Sequence, residues 1–116
     1  MQKAKFNVLF LEEASLFLDN LDEMARSKVI YNIRKARYSN NKAIFKKLTN
    51  EIWEFRTIFN KKQYRLFAFW DNLEKTDIVV VSTHGLLKKT DKIPRGELDK
   101  AERLRKRYFE LKSLHK

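Results

Sequence analysis

Cysteine is absent from the 116 residues, and there are only 2 glycines, 1 proline and 2 histidines. Each absence excludes something. Without cysteine there is no disulfide framework, no thiolate metal site and no cysteine nucleophile, which suits a reducing cytoplasm. So few glycines and prolines leave little room for flexible linkers and rule out collagen-like or glycine-rich phosphate cradles. His84 and His115 lie far apart in sequence, so a histidine-based metal site has little to build on. No apolar run approaches the roughly 20 residues that a membrane span requires. The apolar stretch 6–11 gives way at once to Glu12 and Glu13, unlike a signal-peptide core with a small-residue cleavage site. What is abundant is equally clear: 43% of residues are hydrophobic and 13% aromatic, enough to build a compact core despite 35% charged residues. The length suits one domain spanning 1–116, expected in the cytoplasm and not at a membrane.

Acidic charge is the other scarcity. The chain carries 26 Lys and Arg against 15 Asp and Glu, a net charge of +11, and the excess is clustered. Residues 1–23 are net acidic. Residues 24–50 hold eight basic side chains (Arg26, Lys28, Arg34, Lys35, Arg37, Lys42, Lys46 and Lys47) and no acidic one. A second basic excess fills 86–116. A field of this sign attracts polyanions, which makes nucleic acid, an acidic protein or an anionic surface the natural partner. A solvated basic face is the plain alternative.

Hydrophobic periodicity predicts an α+β order. Residues 6–11 read as a strand. A helix follows from Glu12, and a second helix, capped by Asp22, runs to about Tyr38 with Ala25, Val29, Ile30, Ile33 and Ala36 on one face. Ser39-Asn40-Asn41-Lys42 is turn chemistry, and 43–50 reads as a connector. Residues 52–59 then alternate, with Trp53, Phe55, Thr57 and Phe59 on one side and Glu54 and Arg56 on the other. A turn at Asn60-Lys61-Lys62 leads to a strand over 63–71, and a third strand is expected over 77–83, apolar on both sides as suits a central strand. These three form an antiparallel meander, and the first strand is expected to pair with it. After Pro94 a basic helix carries Leu98, Ala101, Leu104, Tyr108 and Leu111 as its apolar stripe.

No P-loop, dinucleotide fingerprint or zincin motif occurs, and no cofactor is expected. A basic domain can, without a metal, promote cleavage of RNA by its own 2′-hydroxyl. The ribose already holds the nucleophile near phosphorus, so the protein has to assist proton transfer and stabilise the extra negative charge. Glu54 and Arg56 share a strand face, Arg65 opens the next strand, and His84 with Lys88 and Lys89 follows the third. Each has a structural alternative: Arg65 could pair with Glu54 or Asp71, His84 could be a hydrogen-bonded structural imidazole, and the lysines could decorate a solvated turn. Trp53 and Trp70 read as core.

The ordered set Trp53-Glu54-Phe55-Arg56, Gln63-Tyr64-Arg65-Leu66-Phe67, Thr83-His84-Gly85-Leu86-Leu87-Lys88-Lys89-Thr90 and Ile93-Pro94, followed by a basic helix, resembles the RelE/ParE toxin superfamily, nearest its HigB-like, phage-derived branch. The resemblance covers nearly the whole chain. It implies the compact RelE-like ribonuclease fold and the toxin role in a type II toxin–antitoxin pair. It also implies metal-independent cleavage of mRNA on the ribosome and silencing by a cognate antitoxin, usually of helix-turn-helix type, in a hetero-oligomer. By the same resemblance Arg65 faces the scissile phosphate. Arg56, Glu54 and His84 complete the candidate catalytic set, and Lys88, Lys89, Arg34, Lys35, Lys46 and Lys47 are candidates for binding RNA phosphates. A ParE-like poisoning of DNA gyrase and an inactive antitoxin-binding module are the alternatives. The general acid is left open, with Tyr108 and His115 near the C-terminus as available groups.

Overall fold

A computed structural model describes residues 3–74, 77–88 and 92–114. The described elements are β1 (Asn7–Phe10), α1 (Glu12–Asp19), α2 (Glu23–Ala36), β2 (Phe45–Lys47), β3 (Trp53–Phe59), β4 (Lys62–Asp71), β5 (Val79–Lys88) and α3 (Arg95–Leu114). The five strands make one sheet in the order β1-β5-β4-β3-β2. β1 runs parallel to β5, and every other neighbouring pair is antiparallel. The α+β architecture expected from the sequence is the one observed.

Local signals explain most of the elements. The Asp22 carboxylate accepts the Ala25 N–H at 2.9 Å and so caps α2. Arg26 then reaches back to the carbonyls of Leu18 and Leu21, both at 2.9 Å, tying the end of α1 into the hairpin. Asn60 and Lys61 adopt φ of 52° and 64°, the left-handed pair that a two-residue hairpin needs to match strand twist. Valine-rich β5 lies between β1 and β4, as its two-sided apolar character requires.

Two elements differ from the sequence expectation. The connector over 43–50 contains β2, a three-residue strand held by its pairing with β3. It is too short to show a period of its own. The third meander strand runs on to Lys88, so His84 and Gly85 stand inside it and not at its end. Gly85 is required there by close approach: a Cβ at this position would lie 2.2 Å from the Phe17 ring of α1.

Alternation splits the sheet into two faces. Phe6, Phe45, Phe55, Tyr64, Leu66, Ala68 and Val80 pack with α1 and α2 on the hairpin face. Ile52, Phe67, Phe69 and Val81 pack with Ala101, Leu98, Tyr108 and Phe109 of α3 on the other. Leu111 of the expected stripe is exposed, and Phe109 takes the inward place. No described helix is long and apolar enough to cross a membrane.

Candidate functional site

The cross-strand registers bring the sequence-predicted residues together on the α3 face. Lys46 stands opposite Glu54, Glu54 opposite Phe67, and Phe67 opposite His84, forming one row over β2, β3, β4 and β5. The next row is Arg56, Arg65 and Leu86, and two residues further on Gln63 stands opposite Lys88. Directly paired residues point to the same side of a sheet, so these rows place one carboxylate, one imidazole and four cations on a single face.

The centre of that face is dry. Glu54 is 0% and Arg65 1% exposed. Arg65 Nη1 donates to both Glu54 oxygens, at 2.7 and 2.8 Å, and Nη2 donates to Gln63 Oε1 at 2.6 Å. A buried charge persists only when paired and hydrogen-bonded, and this pair meets that condition. Of the two partners weighed for Arg65, the structure selects Glu54. Lys46 approaches the same carboxylate from the rim at 4.0 Å and is 38% exposed. Arg56 and Lys88 are half-buried, opposite Arg65 and Gln63 respectively. Accessible positive charge on this face therefore comes from the rim, while Arg65 forms its floor.

His84 is held at both nitrogens. Its Nε2 is 2.8 Å from Glu97 Oε2 and its Nδ1 is 3.0 Å from Thr83 Oγ1, while its ring stacks on Phe67 at 4.9 Å between centroids. Burial pushes the imidazole below its usual range, against the opposing pull of the Glu97 carboxylate. A neutral ring with its proton on Nε2 donates to Glu97, and the one Thr83 hydroxyl proton lies between His84 Nδ1 at 3.0 Å and the Phe67 carbonyl oxygen at 3.3 Å. Thr83 is the extra residue of a β-bulge opposite Phe67 and Ala68, and the bulge turns His84 to meet Phe67.

Helix α3 is pinned over the face at three points. Glu97, in its first turn, reaches His84, and Lys100 meets Glu13 of α1 at 3.0 Å. Further on, the buried Asp71 carboxylate accepts from Tyr108 at 2.6 Å and Lys112 at 2.5 Å. Burial pushes Asp71 up, but donation from Lys112, Tyr108 and the Leu73 N–H outweighs it and holds the carboxyl below its usual range. Tyr108, a possible acid from the sequence, is thereby bound to a carboxylate and raised above its usual value by burial and by Asp71.

Other expected residues fall elsewhere. Arg34 and Lys35 are exposed on α2, on the opposite side of the sheet. Lys47 stands opposite Trp53, a hairpin-face row. Lys89 and His115 lie outside the described residues. Sequence reasoning missed two members of the cluster. Gln63 was legible as the residue two before Arg65 on the same strand face, and Glu97 as the first-turn acid three residues after Pro94. Among the described residues no group of three or more His, Asp or Glu side chains is arranged to hold a metal ion.

Among known proteins, a family model described as phage derived protein Gp49-like (DUF891) matches residues 16–106. That span begins in α1, contains the whole meander and ends within α3, so it includes every member of the cluster. No curated protein matches the chain.

Proposed function

The chain belongs to the Gp49-like family of phage-derived proteins, a toxin-related family, and from that premise we propose that it is the toxin of a toxin–antitoxin pair, acting as an endoribonuclease on mRNA at the ribosome. The observation that carries the reading is the placement of Lys46, Arg56 and Lys88 around a buried Glu54–Arg65 pair on one sheet face.

The chemistry needs no cofactor. The 2′-hydroxyl attacks the adjacent phosphorus, the 5′-oxygen leaves, and the products are a 2′,3′-cyclic phosphate and a 5′-hydroxyl end. Charge accumulates on the non-bridging oxygens, and preorganised cations stabilise it more in a partly dry site than in water. Arg56, Lys46 and Lys88 make those contacts. Arg65 acts from beneath them: with Glu54 and Gln63 it fixes the face on which they stand. Glu54 and His84 serve as positioning residues, since the Glu54 carboxylate is engaged by Arg65 and both His84 nitrogens have protein partners. This burial also makes Arg56 a better test than Arg65, because removing Arg65 strands a buried carboxylate.

RNA 5′ ends mapped after brief induction test the reading. Cuts inside translated codons bearing 5′-hydroxyls, at least tenfold fewer with Arg56→Ala, are expected for a barrier raised by about 1.4 kcal/mol or more. Growth arrest with intact transcripts and DNA-damage signalling would overturn the nuclease in favour of gyrase poisoning. Folded protein without arrest or cleavage would leave an antitoxin-binding module.

A further inference from the structure

The chain has two tryptophans, Trp53 and Trp70, and they meet edge to face at 5.6 Å between centroids. Both pack on the hairpin-face core, yet both stay half-buried. They also line a cleft of about 1080 Å³ at the Trp70 end of β4, away from Gln63 and Lys88. Phe109 and Ser113 of α3 close its far side. Asn50 and Asn72, from the turns that follow β2 and β4, stand at its rim. Among the described residues no hydrogen bond engages either side-chain amide.

The charges around the cleft differ in how far they are engaged. Arg105 is held by Glu51 at 3.1 Å and Glu102 at 2.9 Å, and it lies over the Phe109 ring at 5.5 Å. Lys106, the next residue, is exposed and has no ion pair among the described residues. Lys47 stands opposite Trp53, so its exposed cation is on the same side of the sheet as that ring. The cleavage face makes no use of Lys47. Lys46 and Lys47 are adjacent on a three-residue edge strand and put one cation on each face. They mark a route by which a single strand of nucleic acid passes from the cleavage face to this cleft.

We infer that this cleft binds one unpaired nucleotide outside the cleavage site, with the base against Trp53 and Trp70 and its polar edge on Asn50 and Asn72. Lys47 or Lys106 takes the phosphate. Aromatic rings suit such a ligand because every base has a π-face to stack on them. An amide suits it because it carries a donor and an acceptor side by side, as a base edge does. A nucleotide brings one charged group and a large neutral ring. That fits a rim where Glu51 and Glu110 offset Arg105 and Lys106. An acidic peptide brings several charges and meets no net field there. Two sources supply a nucleotide: the RNA strand continuing past Lys46 and Lys47, or a free mononucleotide. The first rests on the ribonuclease reading, and the second does not.

The test uses the full chain and NMR. Because both tryptophans line the cleft, the two indole N–H signals both report on it. Trp70 Nε1–H has no acceptor among the described residues, so an arriving base changes its surroundings without breaking a protein hydrogen bond. Adenosine and uridine monophosphates should shift both signals saturably, whereas ribose 5-phosphate, which lacks the base, should not. Asn72→Ala combined with Lys106→Glu, both at exposed positions, should weaken mononucleotide binding about fivefold or more. Arg56→Ala, on the other face, should leave that binding unchanged. A 2′-deoxy single strand resists the cleavage chemistry. If it binds about tenfold tighter than the mononucleotide by the same signals, the site belongs to the RNA strand, and equal affinity assigns it to the free nucleotide. Equal shifts from ribose 5-phosphate or inorganic phosphate, or no shift with any nucleotide, overturn the base site. RNA cleavage by the same preparation then shows separately whether the ribonuclease reading stands. Nucleotide shifts in a chain that cuts no RNA keep the site and overturn that reading.

Discussion

The two faces of the sheet are built from alternate residues of the same strands, yet they hold together by different physics. On the hairpin face, Phe6, Phe45, Phe55 and Trp70 meet at centroid distances from 4.4 to 6.3 Å, and apolar burial with ring–ring contact stabilises them. On the α3 face, Glu54, Arg65, Asp71, Thr83 and His84 are buried just as deeply, and each depends on a partner. Non-directional contacts degrade gradually when one side chain is trimmed. A buried charge that loses its partner fails outright. A surface meant to present charge to a substrate needs the second kind of face, supported from behind by the first.

Breaking the comparison at its sharpest point calls for a matched pair of variants. Phe55→Ala should lower stability by about 3–5 kcal/mol through the cavity it leaves. Glu54→Ala should cost a similar 3–5 kcal/mol by leaving Arg65 buried without its carboxylate. The difference appears on rescue: Glu54→Leu combined with Arg65→Met should recover most of the loss in urea denaturation, because well-packed apolar residues can replace a buried pair. RNA cleavage should stay lost. If the double variant is as unstable as Glu54→Ala, the pair contributes more to the fold than this comparison allows.

A smaller effect tests the pin between α3 and β4. Tyr108→Phe removes a hydrogen bond to the Asp71 carboxylate and should cost about 1.5–3 kcal/mol by thermal unfolding. On the hairpin side, Gly85→Ala forces a methyl group into the Phe17 ring and should cost about 1–3 kcal/mol.

The last prediction concerns pH and separates the faces without large loss of stability. Asp71 is held below its usual value near 3.8, so its contribution is complete above that value and disappears as pH falls through the lower folded one. His84 is held below its usual value near 6.5, so the folded state favours the neutral ring. Its contribution is complete above 6.5 and is lost as pH falls through the folded value. Both losses lie on the α3 side. Acid titration followed by NMR should therefore loosen α3 before the hairpin face, with the neutral, Nε2-protonated ring the majority form of His84 at pH 6.5. A mostly charged imidazole at that pH contradicts the assignment.

Much of this was readable from spacing. The alternation of Trp53 to Phe59 and of Tyr64 to Trp70 gave both faces, Asp22 gave the start of α2, and Asn60-Lys61 gave the tight turn. The reach of β5 to Lys88 was hidden because Gly85 reads locally as a break, whereas here it makes room for Phe17. β2 was hidden because its three residues become a strand only by pairing with β3. For the site, sequence placed Glu54, Arg56, Arg65 and His84 near one another. Gln63, two residues from Arg65 on the same face of β4, was legible; the burial of Arg65 and the contact between His84 and Glu97 were not, since they depend on how β4 and β5 pack against elements that local pattern does not place.

The sequence by itself determined which side chains share a face, because a strand has a period of two and a helix of 3.6, and both are local properties of the backbone. Only the tertiary structure decided which of the cations remain accessible. Lys46, Arg56 and Lys88 stand at the rim while Arg65 is enclosed, because accessibility depends on how much protein is stacked over a position. On this face α3 packs over Phe67, Phe69 and Val81 and is fixed there through the carboxylates of Glu97, Glu13 and Asp71.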